Sequence, residues 1–419
     1  SVTGTTGTGA AGSWGGGFFT EKALTIDPDV AGDLTFTNNR SGSNGGALAS
    51  GLTGSVTLAG SSARLILSGN SAANSGLGGA VYTPGALTVS GDHPNLIVRD
   101  NSSSVRGGAF YAGTGFNLGL APGATLVSSG NRATTAGGFL YLQAGNAVFD
   151  LGTDAIASIG DNTSLANGTD AISSGAGVPL LKRGAGTLAL WGNNNYTGGT
   201  SIDEGTLSVN GAVTGPVTVS ANATLGGSGT ASGAVNILNG GRVAPGSSPG
   251  TLTVGALTLA SGSQLDYDLG PSGIIGSGVN DLINVVGALT LDGTLNVMDL
   301  PGFGTGVYRL INYGGAFTDA GLSIGEVPAS FVPGEFQVQT AVTGQVNLVV
   351  QTGGFTNRFW DGAQSAANGV VDGGSGNWDD ASTNWTGTDG LINGPWSTAF
   401  AVFSGAPGTV TLVQDESAQ

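Results

Sequence analysis

A Gly-Gly tetrapeptide recurs four times in the first third of this chain, at Gly45-Gly46-Ala47-Leu48, Gly78-Gly79-Ala80-Val81, Gly107-Gly108-Ala109-Phe110 and Gly137-Gly138-Phe139-Leu140. Each copy follows a short apolar stretch closed by asparagine, at Asn39, Asn70, Asn101 and Asn131. The offset from that Asn to the first Gly is 6, 8, 6 and 6 residues. A fixed period of this size marks stacked supersecondary units. Ordering the backbone costs ~1–2 kcal/mol per residue, whereas each inward Leu or Val contributes only ~1.5–3 kcal/mol. One turn of such a chain is therefore unstable alone, and turns must share hydrogen bonds with their neighbours.

Period-two alternation runs through most of the chain, as in Val56/Leu58, Leu65/Leu67, Leu188/Leu190, Val217/Val219, Leu257/Leu259 and Val346/Leu348. Such pairs place one face inward and one to solvent. Gly, Asn and Pro between them supply positive φ and stop continuation. The pattern is all-β. Antiparallel sandwiches and a solenoid both fit many short strands, and the thirty-residue recurrence selects the solenoid. Three regions are expected along one elongated rod: 1–177 with the Gly-Gly-Ala repeats, 178–352 with regular strand pairs, and 353–419 with Trp360, Trp378, Trp385 and Trp396.

Composition narrows the function. Gly accounts for 80 of 419 residues, well over twice the usual ~7%. A mean hydropathy of +0.18 excludes a disordered chain. The net charge is -16, and the 11 Lys and Arg are scattered almost singly. Nucleic-acid binding needs clustered cations, so the sequence argues against it; an anionic membrane surface would repel the chain. Without Cys, thiol chemistry, disulfides and Cys-based metal sites are excluded, and no cofactor is expected. No apolar run reaches the ~18 residues that cross a bilayer, so no membrane insertion of this segment is expected. The start, SVTGTTGTGAAG, lacks the basic and apolar parts of a signal peptide. A mature or recombinant boundary is expected there, and a fragment's end at TLVQDESAQ.

The stretch from Gly184 to Val209, GAGTLALWGNNNYTGGTSIDEGTLSV, resembles the passenger-associated transport repeat of bacterial autotransporters, through Gly186, Leu188, Leu190, Gly192, Asn195, Tyr196, Gly198, Thr200, Ile202, Gly205 and Leu207. Residues 240–254, 257–270 and 279–297 look like the same family, and WDG at 360–362 with GNWDD at 376–380 resembles a tryptophan-containing unit of such passengers. The Gly-Gly-Ala copies are similar to the repeats of polymorphic outer-membrane proteins, which pair GGA(I/L/V) with FxxN. Phe36-Thr37-Asn38-Asn39 is one literal FxxN. The resemblance implies a right-handed parallel β-helix, exported through its own C-terminal β-barrel and displayed at the bacterial surface or secreted. That translocator barrel is absent from this segment.

Candidate chemistry is sparse. Gly246-Ser247-Ser248-Pro249-Gly250 matches a nucleophile-elbow pattern, but no helix pattern or downstream His follows, so a turn is expected. His93, the sole histidine, sits in Gly91-Asp92-His93-Pro94 and is expected to be a solvated loop residue. Asp266 and Asp268 share one strand face roughly 6.8 Å apart, which would suit an inverting glycosidase pair or calcium ligands; alternation alone explains them as a solvated outer face. Trp378 and Asp379, within Trp378-Asp379-Asp380, invite a sugar-binding or calcium reading, while a bulky residue capping or stacking along the rod is the favoured role for the tryptophans. These four residues, Asp266, Asp268, Trp378 and Asp379, are the local surface-binding candidates. Trp14, Phe18 and Phe19 are candidates for sealing an open end.

No catalytic constellation emerges. The expected function is an adhesin that attaches to host cells, extracellular matrix or glycans, or to another copy of itself in biofilm. The alternatives are a β-helical polysaccharide-active enzyme and a passive stalk for another effector.

Overall fold

The computed structural model describes residues 2–3, 6–7, 14–246, 249–351, 357–379, 381–388, 390–391, 393–396 and 399–413. They divide into two units, residues 1–328 with 338–348, and residues 329–337 with 349–419.

The first unit is a parallel β-helix. One turn comprises Leu65–Ser68, Ser71–Ala72, Val81–Thr83 and Ala86–Val89. Each pairs in parallel with its counterpart one turn on: Asn95–Arg99, Ser102–Ser103, Phe110–Ala112 and Gly115–Leu120. A single inward column records the winding. Leu34, Leu65, Leu96, Leu126, Ala157, Leu188, Leu207, Leu225, Val243, Leu265, Leu295 and Ile324 are successive register partners. The solenoid expected from the recurrence is thus what the chain forms. The inward pairs named from alternation are all buried in the core.

Turn length is not constant. Along that column the spacing is 30–31 residues from Leu34 to Leu188, then 18–19 to Val243. It rises to 22 at Leu265 and to 30 and 29 at Leu295 and Ile324. The shortening falls near the 177/178 boundary drawn from sequence. Two of the sheets end there among the described residues, with Arg132–Ala133 and Ile172–Ser174 as their last strands. A helix of one turn, Ser164–Asn167, lies in the long turn just before the shortening.

The paired glycines serve two separate needs. Gly45, Gly78, Gly107 and Gly137 have φ of 66°, 66°, 68° and 73°, where a Cβ is strained. Gly46, Gly79 and Gly108 face the carbonyl oxygens of Gly79, Gly108 and Gly138 on the next turn, which a Cβ would meet at 2.0–2.4 Å. Gly138 instead faces the backbone nitrogen of Asp170, at 2.4 Å from a Cβ.

The second unit departs from the β-helical continuation expected for 353–419. Asn357–Trp360 pairs antiparallel with Trp385–Thr386, which pairs antiparallel with Asn393–Gly394. Phe400–Val402 on Asn357–Trp360 and Val410–Leu412 on Gly376–Trp378 are parallel, as is the bridge between Gly373 and Ala406. The physical reason is its core. Trp360, Trp378, Trp385 and Trp396 pack edge-on or tilted with ring centroids 4.4–5.1 Å apart, a cluster too bulky for one ladder column.

Gly108→Ala is expected to cost about 1–3 kcal/mol through forced overpacking. Gly115→Ala, whose Cβ would meet nothing closer than 3.8 Å, should stay within about 0.5 kcal/mol. Denaturant unfolding of the two variants checks this contrast.

Candidate functional site

The repeat asparagines form a buried ladder. A residue in the left-handed region (Asn38, Gly69, Asp100 or Gly130) turns the corner before each one, and Asn39, Asn70, Asn101 and Asn131 are all fully buried. Each side-chain NH2 donates to the Oδ1 of the next: Asn39 to Asn70 at 3.0 Å, Asn70 to Asn101 at 2.9 Å and Asn101 to Asn131 at 2.8 Å. The backbone N–H of the same donor residue meets the same Oδ1 at 3.0–3.1 Å. The NH2 groups of Asn70, Asn101 and Asn131 also donate to the carbonyls of Phe36, Leu67 and Val98. Asn131 donates finally to Asp170 at 2.7 Å, which also accepts from the Ser128 hydroxyl at 2.6 Å. Burial raises the Asp170 pKa against the lowering by those two bonds. Polar satisfaction of this kind is what a buried amide requires. The eight repeat glycines and four asparagines are therefore architecture.

Asp266 and Asp268 lie on Gln264–Leu269, half-buried, while Leu265, Tyr267 and Leu269 point inward. They line a cavity of about 450 Å³ with Arg242, Asp281, Asn296 and Glu326. Asp266 is already committed: both its oxygens accept from Arg242 Nη1, at 3.2 and 2.9 Å, and Oδ1 accepts from the Asn296 amide at 2.7 Å. Asp281 accepts from the backbone N–H of Gly250 at 2.7 Å and of Asp268 at 2.8 Å. Burial pushes its pKa up to about 7 against the opposite pull of those N–H groups. A carboxylate held by Arg is a poor general base, so the glycosidase pairing lacks its free partner. Among the described residues no group of three or more acidic, His or Cys side chains is arranged to hold a metal.

Two expectations, for His93 and Trp378, need correction. His93 is not solvated: it is 4% exposed, with Nδ1 2.9 Å from the hydroxyl of Ser62, itself buried. Burial lowers its pKa, against a backbone hydrogen bond to Ala59 and the nearby charge of Asp92. The reason is longitudinal, since Ser62 belongs to the preceding turn. Trp378 is not a surface binder, because it sits in the tryptophan core. Asp379 caps its own turn, Oδ1 accepting from the N–H groups of Ala381 and Ser382 and Oδ2 from the Ser382 hydroxyl, which lowers its pKa. Ser247, Ser248 and Asp380 lie outside the described residues.

Several residues escaped the sequence reading. Gly15 and Gly16 are a fifth Gly-Gly copy: Gly15 has a φ of 65°, and a Cβ on Gly16 would meet the carbonyl of Gly46 at 2.3 Å. Its 30-residue distance from Gly45 was the available signal. Beside it Trp14 packs edge-on to Phe19 and Tyr82, and Tyr82, Tyr111 and Tyr141 stack at 5.3 and 5.6 Å. Phe18 and Phe19 remain nearly half exposed. Lys182 is fully buried in register between Phe149 and Ile202. Its ammonium donates to the carbonyls of Arg183, Gly184 and Glu204 at 3.0, 2.6 and 3.0 Å. Burial pulls its pKa down to about 8, against the charges of Glu204 and Asp150.

Comparison with known proteins agrees with this architecture. Residues 180–209 match the passenger-associated-transport-repeat family, and residues 33–51 match the Chlamydia polymorphic membrane protein repeat. The chain is 39% identical over 291 residues to the adhesin BmaC autotransporter of Brucella suis biovar 1 (strain 1330), covering 65% of the chain and 8% of that relative. It is 42% identical over 95 residues to an extracellular serine protease of Serratia marcescens, covering 22% of the chain and 9% of that relative. The chain thus spans less than a tenth of the length of either relative.

Asn101→Ala strands the paired donors of Asn70 and the carbonyl of Leu67, and is expected to destabilise the first unit by about 2–4 kcal/mol. Asn95→Ala, at an exposed strand start, should cost less than about 0.5 kcal/mol. Chemical denaturation separates them. Lys182 titrates near 8 when folded and near ~10.4 when unfolded. Between those values the unfolded chain holds more protons, so stability should rise with pH. That rise should flatten in Lys182→Met, as unfolding midpoints from pH 7 to 10.5 would record.

Proposed function

We propose that this chain, a segment of an autotransporter passenger displayed at the bacterial surface or released from it, works in adhesion. The observation that carries the reading is its 39% identity, over 65% of its length, to an autotransporter named as an adhesin. The geometry suits that role. Stacked turns repeat an outward face of Ser, Thr and Asn, and many weak contacts along such a face add up by avidity without a deep pocket. The partners proposed are a host-cell surface, extracellular matrix or glycans, or a second copy of the chain. During export the partner is the passenger's own C-terminal barrel, through which a chain lacking disulfides passes unfolded.

A binding role is favoured over a catalytic one by the state of the available groups. Asp266 is bonded to Arg242 and Asn296. The Ser62 hydroxyl, the one set against His93, is buried, whereas a serine nucleophile must be reachable by substrate.

Bacteria displaying the chain on a translocator barrel should settle faster, or bind host cells and matrix-coated surfaces several-fold better, than bacteria displaying the barrel alone. Equal settling and equal attachment would remove the adhesion reading. Protein or polysaccharide hydrolysis by the purified chain would replace it with the enzymatic one.

A further inference from the structure

The arginines that look scattered in sequence are gathered by the winding. Between residues 34 and 149 the chain carries Arg40, Arg64, Arg99, Arg106 and Arg132 against only Asp92 and Asp100. This stretch is net positive within a chain of net charge -16. Arg64 pairs with Asp33 at the start of its strand. The other four stand along the opposite edge. Arg40, Ser71, Ser102 and Arg132 form one register column. Arg99 lies in the neighbouring column with Thr37, Ser68 and Ser129, on the other side of the Asn corner. Arg106 follows four residues after Ser102, in the turn that leads to Tyr111.

Arg40, Arg99 and Arg132 are exposed, and none of the four has an ion-pair partner among the described residues. Arg106 is held differently. Its guanidinium lies 4.7 Å over the Tyr141 ring, and its Nε is buried without a hydrogen-bond partner. The cations therefore span three turn spacings, roughly 14 Å at ~4.8 Å per strand. Asp100 is the one carboxylate among them, and Ser71, Ser102 and Thr134 fill the intervening outward positions.

We propose that this edge is a docking strip for an extended anionic polysaccharide bearing sulfate or uronate groups. Charge complementarity selects the sign of the ligand: a local cationic strip on an acidic chain attracts polyanions there and repels them elsewhere. Arginine's planar fork binds sulfate and carboxylate oxygens in pairs, and the hydroxyls between the arginines match those of a sugar backbone. The strip runs along the ladder and is only two columns wide. A linear glycan fits that outline, whereas a duplex nucleic acid would press further phosphates against the acidic flanks. The inference rests on the adhesion reading and names the ligand class for it.

The column supplies its own conservative substitutions, because Ser already occupies the equivalent positions in neighbouring turns. The intact chain and an Arg40→Ser/Arg99→Ser/Arg132→Ser variant, matched for unfolding temperature, would be titrated against heparin, hyaluronan, neutral dextran, polyglutamate and duplex DNA. Heparin or hyaluronan should bind in preference to the other three, more weakly as salt rises, and at least tenfold more weakly to the triple variant. Arg64→Ser should leave binding unchanged. Equal binding by the triple variant, equal binding of dextran, or preferential binding of DNA or polyglutamate would overturn the proposal. Attachment of displaying bacteria to surfaces with and without sulfated glycans separates the two readings. Attachment that ignores the triple substitution keeps adhesion and removes the strip. Polysaccharide binding by the purified chain without attachment of displaying bacteria removes adhesion and keeps the strip.

Discussion

The first unit depends on one constraint: each turn's backbone must lie within hydrogen-bonding reach of the next around the winding. Close approaches of this kind occur at the second glycine of each pair, where a neighbouring backbone atom occupies the volume a Cβ would take. Where the contour bends, the left-handed residue and the buried asparagine after it replace the strand ladder with a side-chain ladder. The amide supplies two donors and accepts twice through its oxygen, so it can satisfy its own turn and both neighbours at once. Neither Ser nor Asp offers that combination.

The same requirement explains the two charged groups buried near the change in turn length. The asparagine ladder ends at Asp170, an acceptor that completes the series without donating onward to a further amide. In the next turns, two sheets have ended and the contour contracts to 18–19 residues. There Lys182 threads inward and its ammonium collects three carbonyls. Burying an ionisable group is costly. Both occurrences sit where the regular ladder is interrupted and backbone groups need new partners. The match to the passenger-associated repeat, at 180–209, covers that contraction.

Inward columns were legible because alternation depends only on residues two apart. The Gly-Gly pairs and corner asparagines were legible because their spacing is nearly constant. What stayed hidden depends on contacts about thirty residues away. His93 reads as a turn residue beside Asp92 and Pro94, yet its partner is Ser62 on the preceding turn. Arg40 and Arg132 look isolated, yet they share a column. Asp266 looked free on an alternating strand, yet Arg242 and Asn296 come from the turns before and after it. In the second unit, Trp378 reads as a sugar-binding candidate only through its neighbour Asp379, because nothing local signals that four tryptophans converge.

In-register columns also determine how such a molecule can change length. Excising one full long turn, from Asn70 to just before Asn101, would rejoin each column to a like residue and leave the asparagine ladder one member shorter. Removing a single residue from inside a strand would instead throw the rest of that strand's side chains onto the wrong face. Size in this architecture is quantised. A lineage can lengthen or trim the surface it presents by whole increments, with the fold itself indifferent to the number.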